Sequence, residues 1–166
     1  MSVEMMFRKP MPEDGVAVHE LIDRCSPLDT NSLYCNLLQC SHFADTSVAA
    51  VSSSGELVGF ISGYKKPSNV SRLFVWQVAV AKEMRGLGLG KQMLEELLRR
   101  PSCASICYLE TSITDDNRAS WRLFESLAKD LDAEVHTAPL FDRYNHFADR
   151  HDTEQLLRIG PITREL

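Results

Sequence analysis

The sequence predicts an α/β fold, a mixed central sheet flanked by helices, and three observations predict it. Short runs rich in β-branched and aromatic residues alternate with helical apolar spacing along the chain. One of these runs, Phe74 to Val80, passes through a glycine-rich turn straight into a helix. The 166 residues, 44% hydrophobic and 25% charged, suffice for one substantial core, which predicts a single domain over residues 1–166.

The elements follow in order. Met5 to Lys9 reads as a first strand, and Pro12-Glu13-Asp14 opens a helix whose apolar positions Val16, Val18, Leu21 and Ile22 run to about Arg24. Ser26 to Asn31 is a loop, after which Leu33, Leu37 and Leu38 mark a second helix. Ser47 to Val51 and Leu57 to Tyr64 form a hairpin around Ser52-Ser53-Ser54-Gly55. Pro67-Ser68-Asn69 breaks the chain before the strand Phe74 to Val80, whose residues are apolar on both faces as in a central strand. The helix after the glycine turn starts near Gly88 and runs to Arg99, stopped by Pro101. A strand over Ser105 to Thr111, a helix from about Asp116, and strands over Glu134 to Ala138 and Gln155 to Ile159 complete the order. Residues 139–152 read as an irregular connection rich in aromatic and charged residues. No internal repeat or low-complexity linker interrupts them.

The segment Arg85-Gly86-Leu87-Gly88-Leu89-Gly90-Lys91 carries the chemistry. Glycines let backbone approach a phosphate closely, and the free amides and positive dipole end of the following helix attract negative charge. Arg85 and Lys91 add full charges. The spacing is R-x-x-G-x-G. It is neither G-x-G-x-x-G nor G-x-x-x-x-G-K-[ST], because Lys91 and Met93 stand where glycine is needed and Gln92 follows Lys91. A dinucleotide and a nucleoside triphosphate are thereby disfavoured.

Composition excludes several classes. A net charge of −5 leaves no basic footprint for nucleic acid and suits a cationic substrate. No apolar run reaches the length of a membrane span, and the stretch MSVEMMFRKP lacks the features of a signal peptide, so a cytoplasmic protein with no membrane partner is expected. Cys25, Cys35, Cys40, Cys103 and Cys107 contain no C-x-x-C pair and read as buried thiols in a reducing compartment, with no metal site.

The strand ending Val78-Ala79-Val80, followed by R-x-x-G-x-G, resembles the acyl-CoA loop of the GNAT superfamily of N-acetyltransferases, and the element order resembles the GNAT fold over nearly the whole chain. Asn117-Arg118-Ala119-Ser120-Trp121-Arg122-Leu123-Phe124 is similar to the superfamily's N-x-x-A-x-x-L-Y helix start. The resemblance implies acetyl-CoA as cosubstrate, held by the backbone of Val78 and Val80, by Arg85, Gly86, Gly88, Gly90 and Lys91, and by Asn117 and Ser120. As an Asn ahead of a helix, Asn117 reads equally well as a plain cap. Phe124 stands where the superfamily often has a tyrosine that protonates the thiolate. CoA thiolate is a good leaving group, so solvent or Ser120 can serve instead.

Four blocks carry a narrower likeness: residues 27–48, 73–80, 85–94 and 109–124, with a further one at 151–159. They closely resemble the L-2,4-diaminobutyrate acetyltransferases of ectoine biosynthesis. That resemblance implies acetyl transfer to the 4-amino group of L-2,4-diaminobutyrate. It also implies a homodimer, as is common among such proteins. The alternatives are a GNAT acting on a polyamine or a protein N-terminus, and a noncatalytic acyl-CoA sensor.

Such a reaction needs a base for the substrate ammonium, a donor for the carbonyl oxygen and groups that choose one amine. The superfamily's oxygen donor is a strand backbone N–H, here that of Val78. Many GNAT enzymes place a glutamate on this strand, but Phe74, Trp76 and Gln77 stand here and no acid occurs from Leu73 to Val80. Glu154 and His151, just before the final strand, are the candidate bases, since histidine titrates near neutrality and a partly buried Glu can be shifted upward to do so. Asp29 is the candidate partner of the α-ammonium. Trp76 can pack on the aliphatic carbons, or be a core tryptophan. Tyr34 offers a hydroxyl from the second helix. Arg72 and Lys65 are the weaker candidates for the substrate carboxylate, and His42 and Asp45 suit the turn before Ser47.

Overall fold

A computed structural model describes residues 4–163 and resolves seven strands and four α-helices among them. The chain divides into two compact units: residues through Tyr64 with Trp76–Ala104, and Lys65–Val75 with Ser105 onward.

The first unit holds β1 (Met5–Arg8), β2 (Val48–Ser52), most of β3 (Leu57–Lys66), the second half of β4 (Asn69–Val80) and helices α1 (Gly15–Asp23), α2 (Leu33–Ser41) and α3 (Leu89–Arg99). Its strands run in the order β1-β2-β3-β4, with β1 and β2 antiparallel and β2 and β3 antiparallel through a bulge at Ala50/Val51. In α3, Leu89, Met93, Leu94, Leu97 and Leu98 form the buried stripe that a 3.6-residue period demands. Each such burial is worth roughly 1.5–3 kcal/mol. Met93 sits so close to β3 that a Cβ at Gly59 would lie 3.0 Å from its sulfur and 3.1 Å from the Ala50 Cβ. Glycine is thus what lets helix and sheet approach. Helix α2 starts where Ser32 Oγ accepts from the Cys35 amide at 3.1 Å, and the His19–Asn36–Gln39 hydrogen bonds tie α1 to α2.

The second unit holds the first half of β4, β5 (Tyr108–Thr114), α4 (Arg118–Asp130), β6 (Val135–Phe141) and β7 (Glu154–Ile159). The order is β4-β5-β7-β6, parallel between β4 and β5 and antiparallel for the other two pairs, so the sheet is mixed. Leu73, Val75, Leu109, Ile113, Leu157 and Ile159 bury one face. On β5, Glu110 is fully buried, directly opposite Arg158 of β7. Its carboxylate accepts from Arg158 Nε at 2.9 Å and meets Lys66 Nζ at 3.1 Å and Arg72 at 3.7 Å. Burial pushes this carboxyl upward, but the bonds from Arg158 and Lys66 outweigh it and hold it below the ordinary value. The connection 142–153 is organised by its own bonds: the Asp142 carboxylate accepts from the amides of Tyr144 and Asn145, and Arg143 bridges Asp149 and Asp152.

Several expectations need correction. Strand β4 begins at Asn69, because Pro67-Ser68 forms a tight turn and the polar residues after it still pair. It is not covered on both faces. Leu73, Val75 and Ala79 are buried, Phe74, Gln77 and Val78 half-buried, and Trp76 is 40% exposed, so Trp76 is no core tryptophan. Strand β5 spans 108–114 instead of 105–111, since Ser112 to Thr114 pair with β7 despite the polarity of Ser112 and Thr114. Strand β6 runs on to Phe141. Only Cys25, Cys40 and Cys103 are buried thiols; Cys35 is half-buried and Cys107 exposed. The N-terminal targeting reading begins on residues 1–3, outside the described residues. Among the described residues no helix is long and apolar enough to cross a membrane.

Candidate active site

In the first unit, β4 ends at Val80 and the chain passes through a single 3-10 turn, Lys82–Met84, into the glycine loop. Gly86 and Gly88 take φ of +78° and +77°, in the left-handed region where glycine is favoured, and Gly88 caps α3. A Cβ built at either position meets nothing within 4 Å, so the space before the loop is open. Gln92 N donates to Gly88 O, and amides at the start of a helix have no acceptor within it. A helix start behind two left-handed glycines is a backbone setting that can receive an anionic group such as a phosphate. The exposed Arg85 turns its Nε back onto Val80 O at 3.2 Å, and Gly90 and Lys91 continue into the first turn of α3. Val78 lies half-buried on β4.

The segment 26–32, between α1 and α2, is fastened to the same strand. Gln77 Nε2 donates to the backbone oxygen of Asp29 at 2.8 Å, while Gln77 Oε1 accepts from Asn31 Nδ2 at 2.9 Å. The Gln77 amide N–H goes to Ser62 Oγ at 3.2 Å. This leaves the Asp29 side chain on an exposed stretch. Trp76 packs edge-on against Tyr64, ring centroids 6.2 Å apart, with its other surface toward solvent. Tyr34, in the first turn of α2, is 70% exposed. Sequence reasoning missed Asn31 and Ser62 and treated Gln77 only as a missing acid. The one available signal was an amide set among apolar neighbours on a central strand.

In the second unit, Asn117 Oδ1 accepts from Ser120 N at 3.2 Å and caps α4. The strand register sets Glu154 opposite Thr114, just upstream of that cap. His151 and Glu154 come together, Nε2 to Oε1 at 3.8 Å. Because the Asp152 carbonyl can only accept, the 2.6 Å contact to His151 Nδ1 puts a proton on Nδ1 and leaves Nε2 facing the carboxylate. The imidazole also packs against Phe147, ring centroids 4.6 Å apart and the planes tilted by 40°. At 3.8 Å the His151–Glu154 pair is not hydrogen-bonded directly, so a proton would pass between carboxylate and imidazole through one bridging water. Phe124 is buried in the core, so its ring belongs to packing. Of the weaker candidates, Arg72 is taken up by Glu110 and stacks on Tyr108 at 5.5 Å, while Asp45 pairs with Lys9. Lys65 is half-buried and His42 follows α2 as its C-cap. Among the described residues no cluster of metal ligands occurs.

The strand running through a glycine turn into a helix, on a mixed sheet of this order, fits an acyl-CoA N-acyltransferase, and residues 15–128 match the model of the acetyltransferase (GNAT) family. The chain is similar to the L-2,4-diaminobutyric acid acetyltransferase of Methylotuvimicrobium alcaliphilum, 54% identical over 93% of this chain and 89% of that one. It is similar also to the protein of that name from Vibrio cholerae, 49% identical over 93% and 88%. The structure of the diaminobutyrate acetyltransferase EctA from Paenibacillus lautus, in complex with its substrate L-2,4-diaminobutyric acid and coenzyme A, superposes with a TM-score of 0.92. It is 36% identical and covers 99% of both chains. The ribosomal-protein-S18-alanine N-acetyltransferase of Escherichia coli, at TM-score 0.74 and 15% identity over 97% and 96%, shares the fold alone. The chain therefore belongs to the GNAT acetyltransferases and, among them, to the L-2,4-diaminobutyric acid acetyltransferase family.

Proposed function

We propose that this chain transfers acetyl from acetyl-CoA to the 4-amino group of L-2,4-diaminobutyrate, giving N4-acetyl-L-2,4-diaminobutyrate and CoA. The observation that carries the reading is the 54% identity to a diaminobutyric acid acetyltransferase across nearly the whole chain. Acetyl-CoA supplies a thioester carbonyl open to amine attack and a thiolate that leaves without strong acid assistance. The open, left-handed backbone at Gly86 and Gly88 supports a pyrophosphate site formed with Arg85, Gly90 and Lys91. The Val80 backbone is a further acetyl-CoA contact in this reading, and Asn117 and Ser120 are read as contacts of the pantetheine arm.

The chain's own groups would divide the remaining work. The Val78 N–H donates to the carbonyl oxygen as it gains charge. Glu154 accepts the proton of the 4-ammonium and His151 relays it, a division supported by their 3.8 Å approach. Asp29 pairs with the α-ammonium, Trp76 covers the aliphatic carbons and Tyr34 lends a hydroxyl. Holding one ammonium away from the base is what selects the other.

In this reading the two units act as one acetyltransferase domain, consistent with β4 running through both and with a family match that includes residues of each. The enzyme works as a cytoplasmic homodimer in the formation of ectoine; the solvent-open edge strand β6, with Val135 and Phe141 exposed, supports a second copy. A thiol-release assay with acetyl-CoA tests the reading against diaminobutyrate, ornithine, lysine, spermidine and a peptide. Diaminobutyrate should be preferred, with the product acetylated at N4 by NMR. Preference for a polyamine or peptide, or binding without turnover, overturns it.

A further inference from the structure

We propose that Gln77 is a positioning residue whose side-chain amide clamps segment 26–32 to β4 and so sets where Asp29 is presented. This rests on the reading of Asp29 as the partner of the substrate's α-ammonium. Three bonds converge on this one residue: its Nε2 donates to Asp29 O at 2.8 Å, its Oε1 accepts from Asn31 Nδ2 at 2.9 Å, and its backbone N–H is given to Ser62 Oγ at 3.2 Å.

The pattern demands an amide. A donor must face the Asp29 carbonyl and an acceptor must face the Asn31 amide, and of the common side chains of this length only glutamine carries both. A glutamate would keep the bond from Asn31 but turn a second oxygen onto the Asp29 carbonyl, oxygen against oxygen, with a charge added. This accounts for the strand's lack of an acid. The position carries the acceptor loop, and a base there would release that loop. The bonds also span 46 and 48 positions in sequence, so they tie the segment to a distant strand. Nearby, Cys25 Sγ lies 3.4 Å from Val80 O and anchors the segment's entry, while Ser32 Oγ caps α2 at its exit. Between those two anchors the Leu28 N–H donates to Cys25 O at 2.9 Å, and Gln77 supplies the hydrogen bonds that tie the middle to β4.

The test uses three variants of the full chain: Gln77→Glu, the isosteric but apolar Gln77→Met, and Asp29→Asn. Gln77→Met should raise KM for diaminobutyrate about tenfold, as expected for two lost hydrogen bonds, and Gln77→Glu more. Both should leave kcat and the KM for acetyl-CoA within about twofold, a split that general loss of folding would not produce. Amides of residues 28–32 should exchange with deuterium at least about tenfold faster in both variants, while α3 stays protected. Unchanged exchange of that segment overturns the clamp, whatever the kinetics. So does a fall in kcat alone, which would place Gln77 among the proton-transfer groups. If the exchange rises but Asp29→Asn leaves the diaminobutyrate KM intact, the clamp stands and the reading of Asp29 fails. Combining Asp29→Asn with Gln77→Met should add little to the KM of Asp29→Asn alone, and full additivity would show that Gln77 does not act through Asp29.

Discussion

The glycine loop 85–91 and the segment 26–32 lie in the same unit, yet they are built by opposite means. The loop is a backbone object. Its conformation rests on two residues with positive φ and a helix start, and the proposed anion site would use amides that every residue carries. The segment is a side-chain object, exposed for most of its length and held by an amide donated from a strand 48 positions later. The contrast teaches that, in the proposed site, the cosubstrate would be met by main chain and the acceptor by side chains whose placement depends on the rest of the fold. It can be broken or sharpened by substitution.

The largest effect should come from a second side-chain device, the Glu154–His151 pair. Glu154→Gln keeps shape and hydrogen-bonding capacity but removes the basic site, and general base catalysis is worth about 10²–10⁴-fold. We expect kcat to fall by at least about 10², with the acid limb of the pH–rate profile altered and KM for acetyl-CoA little changed. His151→Ala should do the same more weakly, because the relay is lost while the carboxylate stays. Near-wild-type turnover and an unchanged limb in both variants and their double would return proton removal to solvent.

The same contrast governs what could be read from the residues alone. The strand, glycine turn and following helix were legible because every determinant is local: β-branched composition, glycines in sequence and apolar spacing after Gln92. Elements with polar pairing faces were displaced. Strand β5 slipped by three residues because Glu110, Thr111 and Ser112 look like a strand end until β7 is known to pair with them. The Gln77 clamp and the Glu110 cluster were invisible for the same reason, since each joins residues dozens of positions apart. A lone glutamine or glutamate in a strand names no partner.

That cluster supplies the next test. Glu110 is fully buried among Lys66, Arg72 and Arg158, and its folded-state proton affinity is held below the ordinary value. A depressed carboxylate stabilises the fold above the unfolded-state value, and that contribution is lost as pH falls through the depressed one. Glu110→Gln leaves three cations around a neutral amide and should cost on the order of 3 kcal/mol near neutral pH in urea unfolding. The gap from the wild type should narrow as pH drops below the usual carboxylate range. A gap that stays constant with pH would mean Glu110 contributes through packing and not through charge.

Gly88→Val tests the backbone end. Valine at a φ of +77° costs roughly 1–3 kcal/mol wherever it is tolerated at all, although the space in front would accept its side chain. The strain would be relieved by swinging the amides out of line, so KM for acetyl-CoA should rise on the order of 10- to 100-fold with KM for diaminobutyrate nearly constant. Circular dichroism should show α3 intact. Unchanged cosubstrate binding in the folded variant would remove the pyrophosphate from this loop.

The smallest effect should come from Arg85→Ala, and its smallness is what sharpens the comparison. Arg85 is exposed, its Nε is already spent on the Val80 carbonyl, and an exposed charge near a phosphate is screened by water and salt, so such a pair is worth only about 0–1 kcal/mol. KM for acetyl-CoA should rise no more than about fivefold, and the difference from wild type should shrink further between low and high salt. Gly88→Val, which changes no charge, should keep its whole effect across the same salt range. If instead Arg85→Ala proves the more damaging substitution and its effect falls away with salt, the site is held by side-chain charge, and the contrast between a main-chain cosubstrate site and a side-chain acceptor site does not hold.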